Sequence, residues 1–372
     1  MAMQIIGVGD PKAVKRFGSF LAVDVGRTSY FNKKFMGVGQ ASKTPIQTLL
    51  ELANDAGDTI TYDLVMQLKM QPVEGDAILR GKEEDLKMYT DSVSIDQARG
   101  GVNTGGKMSR KRTIHDLRKI ARARQTEWWA RVFDELFFMY LSGKRGTNSD
   151  YIYSTDYTGM AGNAFVAPDS MHLLYGGAAT SKASMVAGDV MSLSVIDRAV
   201  ARAETMGGGT AGIPAIEPVM IEGEEHFVQV MHPWQEYALR TGVGTGGWLD
   251  IQKAAAAAEG KSSPIFKGGL GMHNNVVLHK HKAVITSNDY GAGSNVLSAR
   301  SLFMGAQAAV VAFGSAGTGL RFDWNEEQED RGNQVVITTG SIFGIKKTAF
   351  VIDGVSRDSG VIALDTSIVD PS

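Results

Sequence analysis

At 372 residues the chain is longer than one compact core usually encloses, so two lobes are expected. Hydrophobic residues make up 43% and charged residues 21%, the balance of a folded globular protein. Lys and Arg total 38 against 40 Asp and Glu, and a formal charge of −2 excludes a histone-like binder that holds nucleic acid by global charge.

Cysteine is absent, which removes thiol nucleophiles, disulfides and thiolate metal sites. The opening Met-Ala-Met-Gln-Ile-Ile lacks the basic stretch and apolar core of a secretory signal. The most apolar windows, such as Val310-Val311-Ala312-Phe313, are too short to cross a bilayer. A protein made and used in a cytoplasm, or in something assembled there, is expected.

In chain order, residues 1–56 read as an arm. Pro45 to Leu52 places Ile46, Leu49 and Leu50 at helical spacing, so the arm is expected to finish in a helical piece lying on something else. From Thr59 to Lys69, apolar Ile60, Tyr62, Leu64, Met66 and Leu68 alternate with mostly polar residues, the period of a strand. A return strand is readable from Tyr89 to Gln97. Between them, Met70 to Met88 forms a tip carrying Glu74, Asp76, Arg80, Lys82, Glu83, Glu84, Asp85 and Lys87. An isolated two-stranded ribbon is marginal in water. The pattern therefore fits a projecting hairpin stabilised on another subunit, and equally a hairpin folded onto its own domain under a disordered loop.

Gly100-Gly-Val-Asn-Thr-Gly-Gly106 reads as a polar hinge. A long helix is predicted beyond it, with Thr113 and Asp116 resembling a capping box. Its stripe is Ile114, Leu117, Ala121, Trp128, Val132, Leu136 and Met139, and nothing interrupts it before Gly143. The C-terminal half is apolar nearly all round and calls for burial by several elements. The N-terminal half carries Arg110, Lys111, Arg112, Arg118, Lys119, Arg122 and Arg124, read as a solvated or inter-subunit face rather than a DNA contact. Farther on the pattern is mixed α+β. Helices are expected over Asp189–Met206 and Leu249–Glu259, and strands over Val219–Ile221, His226–Met231 and Val276–Ile285. Leu302–Val311 fits a helix or a strand, and short β-rich runs close the chain.

Three glycine patterns tempt a nucleotide-binding reading, and an enzyme using them is the alternative function. Gly242-Val-Gly-Thr-Gly-Gly247 and Gly207-Gly-Gly-Thr-Ala-Gly212 both fit G-x-G-x-x-G, but neither joins a clear buried strand to a helix. Gly101-Val-Asn-Thr-Gly-Gly-Lys107 nears a phosphate loop, yet Met108 stands where a Mg²⁺-binding hydroxyl is required. His279-Lys-His281 is read as a surface or interface pair, since no carboxylate sits at metal-ligand spacing. G-x-S-x-G is absent, and Trp128-Trp129 belongs to a core rather than to a base-stacking platform. No catalytic, cofactor or metal residue is assigned.

The order of parts resembles the tailed-phage major capsid proteins of the Hong Kong 97-type fold. Individual stretches resemble the podophage N-four capsid family: Asp10-Pro-Lys-Ala-Val-Lys-Arg, Gly57-Asp-Thr-Ile-Thr-Tyr, Gly75-Asp-Ala-Ile-Leu-Arg-Gly-Lys-Glu-Glu, Tyr89-Thr-Asp-Ser-Val-Ser-Ile-Asp-Gln, Pro264-Ile-Phe-Lys-Gly-Gly-Leu-Gly, and the run Gly332 to Thr348. The resemblance implies an α+β capsid fold with an N-terminal arm (1–56), an extended β-hairpin loop and hinge (57–108) and a spine helix of the peripheral domain (109–146). A mainly axial region (147–319) and a β-rich return to the peripheral domain (320–372) complete it. It implies a non-enzymatic, virion-borne shell protein that assembles in the host cytoplasm into hexamers and pentamers around double-stranded DNA, without sequence-specific binding, cofactor or membrane. A separate scaffolding protein, a portal and a decoration protein are the implied partners. Candidate inter-subunit contacts are Glu74, Asp76, Arg80, Lys82, Glu83, Glu84 and Lys87.

Overall fold

The computed structural model describes residues 11–39, 42–53, 57–66, 68, 70–113, 115–207, 213–221, 223–242, 270–315 and 320–371. The predicted helix over Leu249–Glu259, most of both G-x-G-x-x-G patterns and most of the run from Pro264 lie outside these residues.

The N-terminal segment begins with α1 (Pro11–Thr28) and α2 (Tyr30–Lys34). The Ser29 hydroxyl accepts the Asn32 amide and donates to Asp134 at 2.7 Å, while the same carboxylate accepts the Tyr30 and Phe31 amides at 2.9 and 3.2 Å. A buried carboxylate thus satisfies the first N–H groups of α2, which have no partner within the helix. Next come β1 (Met36–Val38) and β2 (Ile46–Leu49), which are parallel. The helical piece expected over Pro45–Leu52 is therefore a strand. Ile46 to Leu49 are all buried because β2 is flanked on both edges and covered on both faces, and such a strand loses its alternation.

The ribbon consists of β3 (Thr59–Val65) and β4 (Met88–Ser94), shorter than its alternation suggested. The supposed hinge is a strand as well, β5 (Asp96–Gly106), followed by the short α3 (Lys107–Arg112) and the long α4 (Leu117–Ser142). Gly100 is needed for close packing: a Cβ there would lie 2.6 Å from the Trp128 ring of α4. The cap of α4 is Asp116, whose side chain accepts the Arg118 and Lys119 amides, and Gly143 ends the helix in a left-handed conformation.

Beyond α4 the chain forms β6 (Leu173–Tyr175), α5 (Leu193–Thr205), β7 (Val219–Ile221), β8 (Glu224–Met231) and α6 (Pro233–Gly242). Then come β9 (Gly271–His273), β10 (Val276–Lys280), β11 (Thr286–Tyr290), β12 (Val296–Met304), β13 (Ala309–Gly314) and β14 (Asp323–Glu329). The chain closes with β15 (Gln334–Lys347), β16 (Ala349–Ile352), β17 (Val355–Asp358) and β18 (Val361–Ser367). The ambiguous Leu302–Val311 run turns out to bridge two strands of different sheets.

The first sheet has the order β1-β2-β13-β15-β14, with β5 on the opposite edge of β15. The second runs β6-β18-β12-β8-β10-β9, with β11 on β12 and β7 on β8. The central strands of each sheet are buried on both faces. In β13, Val311 and Phe313 face the core around α4, while Val310 and Ala312 face the root of the ribbon. In β8, Val228 and Val230 join the α4 core, while Phe227 and Met231 meet α5. The C-terminal half of α4 therefore lies where both sheets contribute, which accounts for its apolar circumference. Trp129, Phe133, Leu136, Phe137, Phe138 and Leu141 are all buried.

Two buried ion pairs fix the sheets to their surroundings. Arg300 of β12 holds Asp365 of β18 through two contacts of 2.7 Å, and its Nη1 donates to the Ser142 carbonyl at the end of α4, also at 2.7 Å. Tyr290 donates to the same carboxylate at 2.6 Å. Burial opposes the charge on Asp365, but Arg300 and Tyr290 outweigh it and keep its pKa below the ordinary carboxylate value. The second pair, Lys347 with Asp358, is equally hidden at 2.7 Å. It sits beside the passage between sheets, where the Ala308 carbonyl accepts Thr348 N–H and the Gly360 carbonyl accepts Gly305 N–H.

Two outcomes follow for stability. Arg300→Leu leaves the buried Asp365 without its cation and the Ser142 carbonyl without this donor, and is expected to cost about 3–5 kcal/mol in urea unfolding of the unassembled subunit; a loss below about 1 kcal/mol would contradict it. Burial raises the Asp134 carboxyl to about 6, against hydrogen bonds that lower it. In an unfolded chain it titrates near 3.9. The native state thus holds the extra proton between those values. Its contribution favours folding below about pH 4 and is lost as the pH rises through about 6. Asp134→Asn should flatten the denaturation midpoint against pH across that window, and an unchanged slope would contradict the assignment.

Candidate assembly surface

The ribbon pairs from Thr59 with Ser94 to Val65 with Met88, seven residues a side, or roughly 20 Å. Alternation divides its faces. Ile60, Tyr62 and Val93 are buried against Leu49, Val310, Phe350 and Ile352, while Thr59, Thr61 and Asp63 face outward. Its root is also tied by polar contacts. Tyr62 donates to Asp91 at 2.6 Å, and Lys346 of β15 reaches the other oxygen at 2.5 Å. Asn163 accepts the Ser94 amide at 3.0 Å and donates to the Ser94 carbonyl at 2.7 Å, standing in for a neighbouring strand. The ribbon crosses β15 at Gly344, where a Cβ would come within 1.9 Å of the Ser94 oxygen.

Beyond Val65 and Met88 the anchoring ends. Met66 N–H still reaches the Lys87 carbonyl at 3.0 Å, and Glu84 accepts the Met70 amide at 2.7 Å. The rest of the tip folds on itself through turns at 75–76 and 80–81. All seven candidate contact residues, Glu74, Asp76, Arg80, Lys82, Glu83, Glu84 and Lys87, are exposed there. Apolar side chains are exposed with them: Ile78 at 75%, Leu86 at 60%, Met88 at 55% and Leu79 at 52%. Sequence reasoning found the charges of this tip and passed over its apolar residues, although Ile78-Leu79 stands out inside a polar stretch.

The remaining candidate sites resolve into structural parts. Gly101 to Gly106 belong to β5, whose backbone pairs with β15 from Gly101 opposite Thr338 to Gly106 opposite Gln334, rather than forming a cradle for phosphates. The histidine pair expected at a surface or interface is split, with only His281 reaching a cleft. His279 is buried edge-on to Phe35 at 5.4 Å, and His281 stacks on Phe138 at 5.1 Å. Burial, helped by Lys282 and Lys34, lowers the pKa of His281 to about 4 and keeps it neutral. A cleft of about 610 Å³ opens beside it, lined by Arg131, Asp134, Glu135, Tyr151 and Trp234 among others. Two of its carboxylates are committed: Asp134 caps α2, and Glu135 accepts the Ile152 amide at 2.8 Å and pairs with Arg131. Among the described residues, no three His, Asp or Glu side chains gather as metal ligands.

A phage capsid protein family model matches residues 5–369. The major capsid protein of Pseudomonas phage KPP25 is 27% identical over 369 residues, covering 90% of each chain. Among solved structures, the capsid of Ralstonia phage GP4 is 51% identical and covers both chains completely, with a TM-score of 0.85. The capsid of cyanophage Pam1 reaches a TM-score of 0.70 at 21% identity, over 92% of this chain and 93% of that one. These likenesses give the architecture as the α+β capsid fold of the Hong Kong 97 type. With a family model spanning nearly its whole length and half its residues shared with a capsid of known structure, the chain belongs to the phage capsid protein family and is a shell-forming major capsid protein of the virion.

Proposed function

We propose that the ribbon is the clasp of the shell, one copy's residues 57–98 lying across a neighbouring copy. The observation that carries this reading is the contrast along its length: a root with buried side chains on both strands, and a tip whose apolar residues Ile78, Leu79 and Leu86 are exposed. Exposed apolar surface rimmed by charge is the signature of a protein interface. In the assembled particle the charged contacts would come from Glu74, Asp76, Arg80, Lys82, Glu83, Glu84 and Lys87.

The first sheet, with α1 to α4 and the ribbon, would form the peripheral lobe, and the second sheet with α5 and α6 the axial lobe. Hexamers and pentamers built this way would enclose double-stranded DNA as a wall without reading its sequence, in keeping with the near-neutral charge. A separate scaffolding protein and a portal would complete assembly, with a decoration protein as a further partner. The chain's work is association, and no catalytic step is assigned to it.

Deleting residues 70–88 should leave a subunit with unchanged circular dichroism and unfolding midpoint, because the tip adds nothing to any core. That subunit should form no closed shells by electron microscopy. Normal particles from the deletion would remove the clasp reading.

A further inference from the structure

A single residue, Ile95, joins the ribbon to the first sheet. The ribbon is a two-stranded sheet of its own that ends at Ser94, and β5 is already paired with β15 at Asp96, opposite Phe343. The chain therefore turns at Ile95, whose amide donates to the Asp58 carbonyl at 2.8 Å. An apolar face buries the ribbon's root, but apolar packing has no direction and sets no angle by itself. Lys346 reaches Asp91 and the Ser92 carbonyl farther out, on a long and flexible side chain.

The contact that has direction at the turn is Asn163. Its Oδ1 accepts the Ser94 amide at 3.0 Å and its Nδ2 donates to the Ser94 carbonyl at 2.7 Å. Both backbone groups of the last ribbon residue are thus fixed by one planar amide. That amide is itself held. The Asn163 N–H donates to the Met160 carbonyl at 2.9 Å. The Tyr140 hydroxyl donates to the Asn163 carbonyl at 2.9 Å and accepts the Met160 amide at 2.7 Å. Tyr140 is buried and belongs to α4, so the turn 159–163 is pinned to the long helix.

Two further features set this turn apart. Ala161 stands at φ 58°, a left-handed conformation that its side chain disfavours, so the turn is kept against local preference. It also lies in the connection from α4 to β6, residues 143–172, which holds no helix or strand. A connection of that length in a compact fold usually carries a function. The ribbon's direction matters because the ribbon is a lever. A swing of about 20° at Ile95 moves the far end of a ribbon of roughly 20 Å by roughly 7 Å, more than a side-chain contact spans.

We infer that Asn163, held by Tyr140, is the positioning residue that sets the direction in which the ribbon leaves the subunit. Shell assembly then depends on Asn163, although it touches only the ribbon's foot. That consequence rests on the clasp reading, while the direction itself is a property of the single subunit.

The chain contains no cysteine, so Val65→Cys at the ribbon's far end and Asn325→Cys on β14 place two spin labels without competition. Pulsed electron paramagnetic resonance on the unassembled full-length chain then reads the distance between ribbon and first sheet. With Asn163 and Tyr140 intact the distribution should be narrow. Asn163→Ala should make it roughly twice as broad with unchanged circular dichroism. Tyr140→Phe, a milder change that keeps the Asn163 amide, should broaden it less. A role in stability alone would lower the unfolding midpoint and leave the width as it was, and that result overturns the inference. Without labels, Asn163→Ala should lower the yield of closed shells at least tenfold by electron microscopy. Normal shells from this variant, where deletion of 70–88 blocks assembly, likewise overturn it. If the deletion itself leaves normal shells, the clasp reading falls, and the width of the distribution still decides what Asn163 does.

Discussion

The architecture depends on how one helix end is held. A helix of 26 residues presents carbonyls at its C-terminus that no later turn can satisfy, and here that end is driven into the middle of the protein. Arg300 meets it from the second sheet. One guanidinium donates to the Ser142 carbonyl, grips Asp365 on the adjacent strand and touches the Tyr290 hydroxyl. Three elements distant in sequence are registered against each other by one planar donor whose geometry suits several acceptors at once. Without it, the apolar circumference of α4 would still be buried, but the last carbonyl of the helix would lose its tie to the second sheet.

The same logic recurs at the other joints. Asp134 projects from α4 to start α2, and Asn163 binds both backbone groups of Ser94 at the foot of the ribbon. In each case a hydrophobic contact supplies the association and one polar side chain supplies the register. Buried polar groups are costly when unpaired, so these contacts discriminate strongly between the native arrangement and a slipped one.

Much of this was legible from the residues, and the failures are specific. The ribbon and the long helix were readable because their periodicities reflect one buried face each, or a stripe that widens to the whole circumference. β2 was misread because a strand buried on both faces has no alternation, and Ile46, Leu49 and Leu50 imitate a helical stripe by chance. The glycines from 100 to 106 suggested mobility, yet Gly100 is there to admit the Trp128 ring. Local sequence does not reveal which distant side chain requires the space. His279 and His281 looked polar and peripheral, since their aromatic neighbours come from α4 and from the N-terminal segment, far away in sequence. For the assembly surface, sequence supplied the charges, and exposure in the folded chain added the apolar residues.

Among the described residues, the chain passes between the two sheets three times: from β5 through α4 to β6, from β12 to β13, and from β15 through the β16–β17 hairpin to β18. The last two passages lie side by side, sharing the bonds from Gly305 to Gly360 and from Thr348 to Ala308. The first leaves from the helix end that Arg300 holds. A single covalent link would let the lobes swivel and absorb strain, but three links fastened by buried ion pairs form a truss. Load applied at the ribbon's root on the first sheet is then carried into the second with little give. For a wall made of many identical panels, stiffness of this kind lets a pull on one panel reach the next.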